Sequence, residues 1–201
     1  MVSPEMAGAV IAAVASCAAT LGAVFLRHKL SKDLKCDPIE KESRHNDNVY
    51  TALSYTMGEM GADRAYVMEF HNGIHYFSGR SQQKFSCSYE IVDEGISSES
   101  QNSQDYKISN YHNYIKELVD LEKFEYKDVS KIDDHVFKNL LKHKGVRALY
   151  NVPIKTLNGK IIGILGVDYV RAPHKGYLVD NDEDVQKFMK RQARVISGYL
   201  L

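Results

Sequence analysis

Residues 143–170 read HKGVRALYNVPIKTLNGKIIGILGVDYV, and they predict the centre of a β-sheet. Two apolar runs, residues 146–155 and 160–170, are joined by the turn sequence LNG at residues 157–159. An Asn-Gly pair between apolar runs is the strongest short signal of a β-hairpin, because a type I′ turn needs positive φ at both central residues. Both runs are apolar on both faces, which is typical of a sheet covered by a layer on each side.

Two more strands are predicted before this hairpin. Residues 64–70 are mostly apolar, and residues 84–92 alternate between apolar and polar side chains. Successive side chains of a strand point to opposite faces. The alternation therefore places Phe85, Cys87, Tyr89 and Ile91 on one face, and Lys84, Ser86, Ser88 and Glu90 on the other.

Four helices are predicted around these strands. Residues 45–61 and 181–200 each carry an apolar stripe at helical spacing, a third helix covers residues 110–120, and a fourth begins after Asp133 or Asp134. The first and last helices can lie together on one face of an antiparallel sheet, with the middle helices and the loops on the other. The predicted fold class is therefore α+β, an antiparallel sheet sandwiched between helices.

Composition excludes some classes of function. Lys plus Arg equals Asp plus Glu, at 26 each, which argues against a nucleic-acid binder because such proteins depend on clustered cations. The three cysteines are widely spaced and form neither a disulfide framework nor a Cys-x-x-Cys metal clip. A reducing compartment is therefore expected.

The N-terminal segment predicts a single transmembrane helix. Residues 6–26 contain no charge and, as a helix, would span about 31 Å. The flanking cations all follow the segment, at Arg27, Lys29, Lys32 and Lys35. The positive-inside rule then places the N-terminus outside and the C-terminal domain in the cytoplasm, with the inner-membrane bilayer as a partner. Small residues at helical spacing in this segment would allow homodimerisation through it.

Three other interpretations of this segment are weaker. A cleaved signal peptide would need a basic start, which the sequence MVSPE lacks. A lipoprotein signal ending at Cys17 would be followed by polar residues, whereas the apolar run continues to residue 26. A buried helix of a soluble protein would need a large partner surface.

The predicted domain organisation follows from these boundaries. Residues 1–26 form the transmembrane helix and residues 45–201 form the globular domain. Between them, residues 27–44 are predicted to be a basic juxtamembrane linker, because they are charged and Pro38 would break any helix that crosses it.

Residues 69–90, EFHNGIHYFSGRSQQKFSCSYE, concentrate the side chains with functional chemistry. A zinc site would use His71, His75 and Cys87, but the histidines lie in a predicted loop and the cysteine lies in mid-strand. A Cys87–His71 nucleophile pair lacks any feature that would lower the thiol pKa. Paired Glu69 and Glu90 carboxylates are more often solvated than catalytic. Neither a catalytic residue nor a metal ligand is predicted.

A ligand-binding loop and a plain hairpin remain the two interpretations of this stretch. A loop at the end of a strand can present backbone amides and polar side chains to a ligand. The candidate ligand-binding residues are His71, Asn72, Gly73, Lys84, Ser86, Glu90 and Tyr150. In the plain-hairpin interpretation the polar side chains are solvated and the Asn-Gly pair turns the chain. Asp168, at the end of an apolar strand, either faces the same pocket or caps the strand.

The chain resembles the GAF family of sensor domains over about residues 45–200. The resemblance depends on MGADRAYVMEFHNG at residues 60–73, on the hairpin sequence quoted first, and on the closing helix DNDEDVQKFMKRQARVISGYL at residues 180–200. It implies an antiparallel sheet with a pocket between its concave face and the crossing helices and loops. Known members bind cyclic nucleotides, tetrapyrroles or small metabolites, while others only dimerise.

Two departures from the family limit what the pocket would hold. The chain lacks the Asn-Lys-x-Phe-Asp-Glu type of element associated with cyclic-nucleotide binding, and none of its cysteines aligns with a chromophore attachment site. No cofactor is therefore predicted. The N-terminal segment and the sequence FHNG at residues 70–73 also resemble proteins encoded in bacteriophage genomes.

The expected function is that of a membrane-anchored cytoplasmic GAF-like module, which binds a small metabolite or a partner protein in a regulatory role. The alternative is a non-catalytic assembly protein, encoded by a phage, that uses the fold as a scaffold and dimerises through the domain or the N-terminal helix. An enzyme with a Cys87–His71 pair is the least favoured of the three.

Overall fold

A computed structural model describes residues 16, 18–27, 29, 37–171 and 182–201. Residue contacts divide the chain into two units, Met1–Arg44 and His45–Leu201.

The described part of the first unit contradicts the predicted membrane location. Residues 6–15 and 17 of the predicted transmembrane segment lie outside the described residues, and residues 18–27 are helical. Among the described residues, no helix combines the length and the apolar character needed to cross a bilayer. The predicted single-pass inner-membrane location is therefore wrong. The segment is rich in Ala and Gly, which carry little apolar surface, so an uncharged run gave a misleading signal.

From residue 37 onward, the described chain forms four α-helices and six β-strands. The helices are α1 (Pro38–Met60), α2 (His112–Leu121), α3 (His135–His143) and α4 (Asp182–Leu200). The strands are β1 (Arg64–His75), β2 (Ser81–Val92), β3 (Tyr106–Lys107), β4 (Phe124–Tyr126), β5 (Ala148–Lys155) and β6 (Ile161–Tyr169). Two 3₁₀ turns, Ile108–Tyr111 and Val129–Lys131, precede α2 and α3.

Helix boundaries follow local capping chemistry. Helix α1 begins at Pro38, so residues 38–44 of the predicted linker are helical; proline is tolerated in the first turn, where its missing N–H needs no partner. Helix α3 is capped by Asp134, whose carboxylate accepts hydrogen bonds from the N–H groups of Val136 and Phe137 at 3.0 Å. The predicted Asp cap is thus confirmed.

The six strands form one antiparallel sheet in the order β3-β2-β1-β6-β5-β4. Strand β1 lies near the middle and pairs with both β2 and β6, so residues from distant parts of the chain meet across it. Strands β3 and β4, which sequence analysis did not predict, extend the sheet at its two edges.

One face of the sheet packs against α1 and α4, as predicted. This helix-covered face contains buried aliphatic side chains from β1, β5 and β6, and the partly buried Ile91 of β2 packs against them. Its most deeply buried members include Leu53, Val67, Leu165, Met189 and Ile196. Burying each such side chain contributes about 1.5–3 kcal/mol, so this layer contributes substantially to stability.

The opposite face packs against α2, α3 and the connecting segments. Its core is rich in aromatic rings: Tyr114 stacks on Phe137 with ring centroids 4.2 Å apart, and Phe124 meets Tyr114 edge-on at 4.7 Å. Edge-on and offset-stacked pairs of this kind are favourable beyond their buried area. This second layer confirms the predicted sandwich.

The β5–β6 hairpin forms with a different turn from the one predicted. Within it only Gly159 has positive φ, at 84°, whereas a type I′ turn would require it of Asn158 as well. The Gly159 N–H donates to the Thr156 carbonyl and the Thr156 N–H donates to the Lys160 carbonyl, both at 2.9 Å. The connection is therefore a three-residue loop with glycine in the left-handed position.

The strict alternation predicted for β2 is interrupted at Ser88. In the register with β1, Val67 faces Tyr89 while the next residue, Met68, faces Cys87. Ser88 is thus the extra residue of a β-bulge, which shifts the side chains on one side of it to the other face. Tyr89 and Ile91 pack towards α1 and α4, and Glu90 joins the face of Phe85 and Cys87.

Candidate functional site

A cleft lies on the face of the sheet that packs against α2 and α3. The volume open to the centre of a water-sized sphere is about 40 Å³, and the total empty space, which includes solvent at the open mouth, is about 500 Å³. The wall is mostly apolar, and several polar groups converge on the strand side. The lining residues are Tyr66, Met68, Phe85, Cys87, Glu90, Glu99, Ser103, Tyr106, Tyr114, Phe137, Leu140, Leu141, Lys144, Asn151 and Asp168.

Gly166 makes room for the polar side of the cleft. It is the register partner of Tyr66 on β1 and of Asn151 on β5. A Cβ at Gly166 would lie 2.4 Å from the Tyr66 ring and 2.5 Å from Asn151 Oδ1. The missing side chain therefore lets Tyr66 and Asn151 meet above the middle strand.

A chain of hydrogen bonds runs across the strands beneath the cleft. Asn151 Nδ2 donates to the Tyr114 hydroxyl at 2.8 Å. The Tyr66 hydroxyl lies 3.0 Å from Asn151 Oδ1 and 3.1 Å from Asp168 Oδ1. Because a hydroxyl has one proton, Tyr66 can donate to only one of these two acceptors at a time.

Asp168 is a buried carboxylate with an incomplete set of partners. It is 4% exposed, and its cationic neighbour is Arg64, whose Nη1 lies 3.5 Å from Asp168 Oδ2. That separation exceeds the 2.7–2.9 Å that is usual for a charge-assisted hydrogen bond. Arg64 is held back because its Nε donates to the Ser97 carbonyl and its Nη2 donates to the Lys144 carbonyl.

Burial raises the pKa of the Asp168 carboxyl to about 6. The cations of Arg64 and Lys144 and the hydrogen bond from Tyr66 oppose this rise, while the charge of Glu90 adds to it. Burial likewise raises the pKa of the Tyr66 and Tyr114 hydroxyls above the usual range, so both stay protonated. Near neutral pH the cleft thus contains an ionised but poorly solvated carboxylate, which is typical of functional sites.

Residues 93–105, here called the covering segment, lie over one side of the cleft. Glu90 Oε2 fixes the segment by accepting hydrogen bonds from the Glu99 and Ser100 N–H groups, at 2.8 and 3.0 Å, and from the Ser98 hydroxyl. Lys144 Nζ donates to the Ser103 hydroxyl at 2.6 Å, which ties the segment to the end of α3. The segment also pairs with β2, because the Cys87 N–H donates to the Ser103 carbonyl and Gln104 Nε2 donates to the Cys87 carbonyl, both at 2.8 Å. Polar contacts therefore hold the covering segment, and neither buried apolar cluster includes a residue from it.

The structure separates the seven predicted ligand-binding residues, and only Glu90 lines the cleft. Tyr150 is fully buried on the helix-covered face, because it alternates with the cleft residue Asn151. His71, Lys84 and Ser86 lie on the face opposite to Phe85 by the same alternation. Asn72 and Gly73 belong to the outer end of the β1–β2 hairpin.

The predicted residues at that hairpin end form a small cluster of their own. The His71 ring lies 2.8 Å from the Ser86 hydroxyl, and Ser86 accepts a hydrogen bond from the Asp105 N–H at 2.8 Å. Lys84 pairs with the Asp105 carboxylate at 2.8 Å. At Gly73 an added Cβ would come within 3.0 Å of the Lys84 side chain, so glycine permits that close approach.

The covalent and metal chemistry considered from sequence is not assembled by the described residues. Cys87 and His71 lie on opposite faces of the sheet, and burial raises the pKa of the Cys87 thiol to about 12, so the thiolate is scarce at neutral pH. No group of three His, Cys, Asp or Glu side chains among the described residues is placed to hold a metal ion.

Comparison with known proteins identifies structures that share this fold. No protein-family model matches the sequence, and no curated protein matches it. The blue-light absorbing form of the PixJ GAF domain of Thermosynechococcus elongatus superposes with a TM-score of 0.62 at 16% identity, covering 82% of this chain and 89% of that one. The chain has a GAF-like fold.

Two further structures support the assignment of the GAF-like fold. The photoproduct state of GAF3 from Slr1393 of Synechocystis has a TM-score of 0.57 at 15% identity, covering 78% of this chain and 92% of that one. The far-red absorbing dark state of JSC1_58120g3, with bound biliverdin IXα, has a TM-score of 0.53 at 13% identity and covers 78% and 97%. The resemblance to bacteriophage proteins stays a prediction.

Sequence analysis missed most of the polar side of the cleft in this GAF-like fold. Tyr66, Asn151 and Lys144 were not singled out, and Asp168 was left between two interpretations. One signal was present: a carboxylate and an amide stand inside otherwise apolar strands, and such residues are rarely buried without a specific partner. That signal identifies Asn151 and Asp168 without any structure.

Proposed function

We propose that this protein is a regulatory module that binds a small ligand in the cleft and has no catalytic activity of its own. The observation that carries this proposal is the cleft itself, in which an apolar aromatic wall faces a few converging polar groups. That combination is the usual form of a small-molecule site. Asp168 adds weight, because a buried carboxylate beside an open cleft costs stability that a purely structural core would not need to lose.

The competing expectation of a filled pocket receives no support. Tyr76 and Phe77 would have filled the cleft in a scaffold protein, but both lie at the tip of the β1–β2 hairpin, where Phe77 is fully exposed. Neither side chain therefore enters the cleft between the sheet and α3. This favours a ligand over a solid protein core at that place.

The proposed ligand is not a tetrapyrrole. The protein JSC1_58120g3 holds biliverdin, whose side chains include carboxylates. In this chain the carboxylates of Asp168, Glu90 and Glu99 line the cleft with the ammonium of Lys144, and Arg64 pairs with Asp168. Ligand carboxylates would therefore meet a lining with one negative charge in excess. Cys87, the cysteine of the cleft, is also a poor nucleophile for covalent attachment.

The covering segment supplies a means of regulation. It is held to the strands by Glu90 and to the end of α3 by the contact between Lys144 and Ser103. A ligand in the cleft lies against both anchors and would change how firmly the segment is held. Ligand occupancy is thereby converted into order or disorder of a surface segment that a partner protein can read.

Native mass spectrometry of the full-length protein, purified from its natural cell, tests the proposal. Leu140 lines the cleft, so Leu140→Trp fills it, whereas Val136 lies one turn earlier on α3 and is 58% exposed, so Val136→Trp is the matched control. We expect a small molecule to accompany the wild type and Val136→Trp and to be absent from Leu140→Trp. A protein without any bound molecule, or one that Leu140→Trp retains equally, would contradict the proposal.

An assembly role remains a second candidate because of one observation. The side chains of Phe77, at the tip of the β1–β2 hairpin, and Leu157, in the β5–β6 turn, are fully exposed. Pairing of Glu69 with Gly163 places these two hairpin ends at the same end of the sheet. Sedimentation of the wild type and of Phe77→Ser would reveal an oligomer that depends on this end; a monomer in both cases would remove the candidate.

A further inference from the structure

The Asp168 carboxylate has more hydrogen-bonding capacity than its surroundings use. An ionised carboxylate offers about four acceptor sites. Whichever way the Asn151 amide is turned, the Tyr66 hydroxyl is the one group among the described residues that hydrogen-bonds to this carboxylate. Oδ2 faces Arg64 Nη1 across 3.5 Å, without a hydrogen bond. An acceptor is therefore left over beside the cleft.

The charged side chains around the cleft also favour a ligand that donates hydrogen bonds and carries positive charge. Asp168, Glu90 and Glu99 contribute three negative charges to the lining, against the ammonium of Lys144 and the buried guanidinium of Arg64, which pairs with Asp168. One negative charge is left in excess. Lys144 is already engaged, because its Nζ donates to Ser103 and lies 5.3 Å from the centre of the Tyr106 ring. The second contact shows that the aromatic wall accepts a cation at cation–π distance.

The aromatic side chains of the cleft wall favour a ligand of flat shape. The rings of Phe85, Tyr106, Tyr114 and Phe137 line the same cleft as Asp168. A flat aromatic body would bury its faces among these rings, since aromatic groups favour stacked and edge-on contacts. A flexible or highly polar ligand would leave this wall unpaired.

We propose that the cleft takes a small planar cation, whose N–H groups donate to Asp168 and whose ring lies among the aromatic side chains. Amidinium ions and protonated amino-heterocycles are the chemical class that meets these requirements. The inference rests on the proposed function, since it names the kind of ligand that the regulatory module would bind.

Three probes of the same size separate charge from shape. Benzamidine is a planar cation, benzamide is its neutral counterpart and benzoate is the matching anion. We expect calorimetric titration of the full chain at pH 7.5 to show benzamidine binding at least about tenfold more tightly than benzamide, because hydrogen bonds to charged groups are the stronger ones. Benzoate should not bind measurably.

Two variants test the roles of individual residues in opposite directions. Asp168→Asn keeps the shape of the side chain and should reduce benzamidine affinity about tenfold, to that of benzamide, while benzamide affinity changes little. Lys144→Met removes the competing cation and should tighten benzamidine binding severalfold. Lys142→Met, an exposed lysine on the same helix that does not line the cleft, is the matched control and should change nothing.

The outcomes distinguish this inference from the proposed function. Tighter binding of benzoate or benzamide than of benzamidine, or unchanged benzamidine affinity in a folded Asp168→Asn protein together with no effect of Lys144→Met, would overturn the cation preference. If those other probes bind and Leu140→Trp abolishes their binding, the cleft is still a ligand site. Failure of all three probes also overturns the cation inference, while native mass spectrometry judges the cleft separately.

Discussion

The two faces of the sheet are built from the same strands and differ in almost every physical property. On β6, Val167 lies against α1 and α4 while its neighbour Asp168 lines the cleft. On β5, Tyr150 and Asn151 divide in the same way. One face is mainly aliphatic, and the other carries a hydrogen-bonded polar chain among aromatic rings. Alternation along a strand thus places aliphatic side chains on one face and the polar groups of the proposed site on the other.

The largest expected effect comes from weakening the helix-covered face. Leu165 is fully buried there, so Leu165→Ala should lower the free energy of unfolding by about 2–5 kcal/mol through lost burial and a residual cavity. Urea denaturation of the full chain, followed by circular dichroism, measures this change. Leu157→Ala, at a fully exposed turn position, is the control and should change it by about 0.5 kcal/mol or less. Equal effects of the two substitutions would contradict the assignment of the faces.

The buried carboxylate of the cleft face should make the stability of the protein depend on pH. The Asp168 pKa is about 6 in the folded protein and 3.8 in a model peptide, so the folded state holds the proton more tightly. Its contribution to stability is therefore greatest at low pH and declines as pH rises from about 4 to 6. The decline amounts to about 3 kcal/mol. Asp168→Asn should remove it, as judged by urea denaturation at a series of pH values.

Glu122 is the natural control for that experiment, because its pKa shifts the other way. Hydrogen bonds from Lys155 and Lys190 lower the Glu122 pKa to about 2. Its stabilising contribution is present above about pH 4.5 and is lost as pH falls towards 2. Glu122→Gln should therefore lower stability above about pH 4.5, and the difference from the wild type should disappear as pH falls towards 2. An Asp168→Asn profile parallel to that of the wild type between pH 4 and 6 would refute the buried-carboxylate account.

A smaller change in stability is expected at Gly166, whose missing side chain makes room for Tyr66 and Asn151 on the cleft face. Gly166→Ala places a methyl group against Tyr66 and Asn151, and overpacking of this kind costs about 1–3 kcal/mol. Gly198→Ala, in α4 with no atom within 4 Å of the new methyl, should instead stabilise by up to about 1 kcal/mol. Thermal unfolding of both variants measures the contrast. A neutral Gly166→Ala would mean that the two side chains do not cross above the glycine.

Much of the fold could be predicted from sequence, because its long elements have strong periodicity. The stripe of α1 and the apolar runs of β5 and β6 are confirmed, as is the packing of the first and last helices on one face. Strands β3 and β4 were missed because two or three residues carry no recognisable period. The N-terminal segment was predicted to span a membrane from its length, its lack of charge and the cations that follow it, but a run rich in Ala and Gly is only moderately apolar.

The site was harder to predict than the fold, for a physical reason. A β-bulge depends on how two strands pair, and the alternating residue types around Ser88 gave no sign of one. Tyr150 was assigned to the pocket, although it lies two residues from the apolar Val152 and so shares its face, the aliphatic layer. The polar groups of the cleft come from strands far apart in sequence, so their convergence is a property of topology.

The extra residue at Ser88 also determines how this binding surface can change over time. A substitution in β2 alters one contact at a time. Loss or gain of a single codon near the bulge would instead move every later side chain of the strand to the opposite face of the sheet. An acid such as Glu90 would then leave the cleft, and the adjacent residue in the strand would take its place. If the cleft binds the proposed ligand, its preference would therefore change abruptly with an insertion or deletion in β2 and gradually with substitutions.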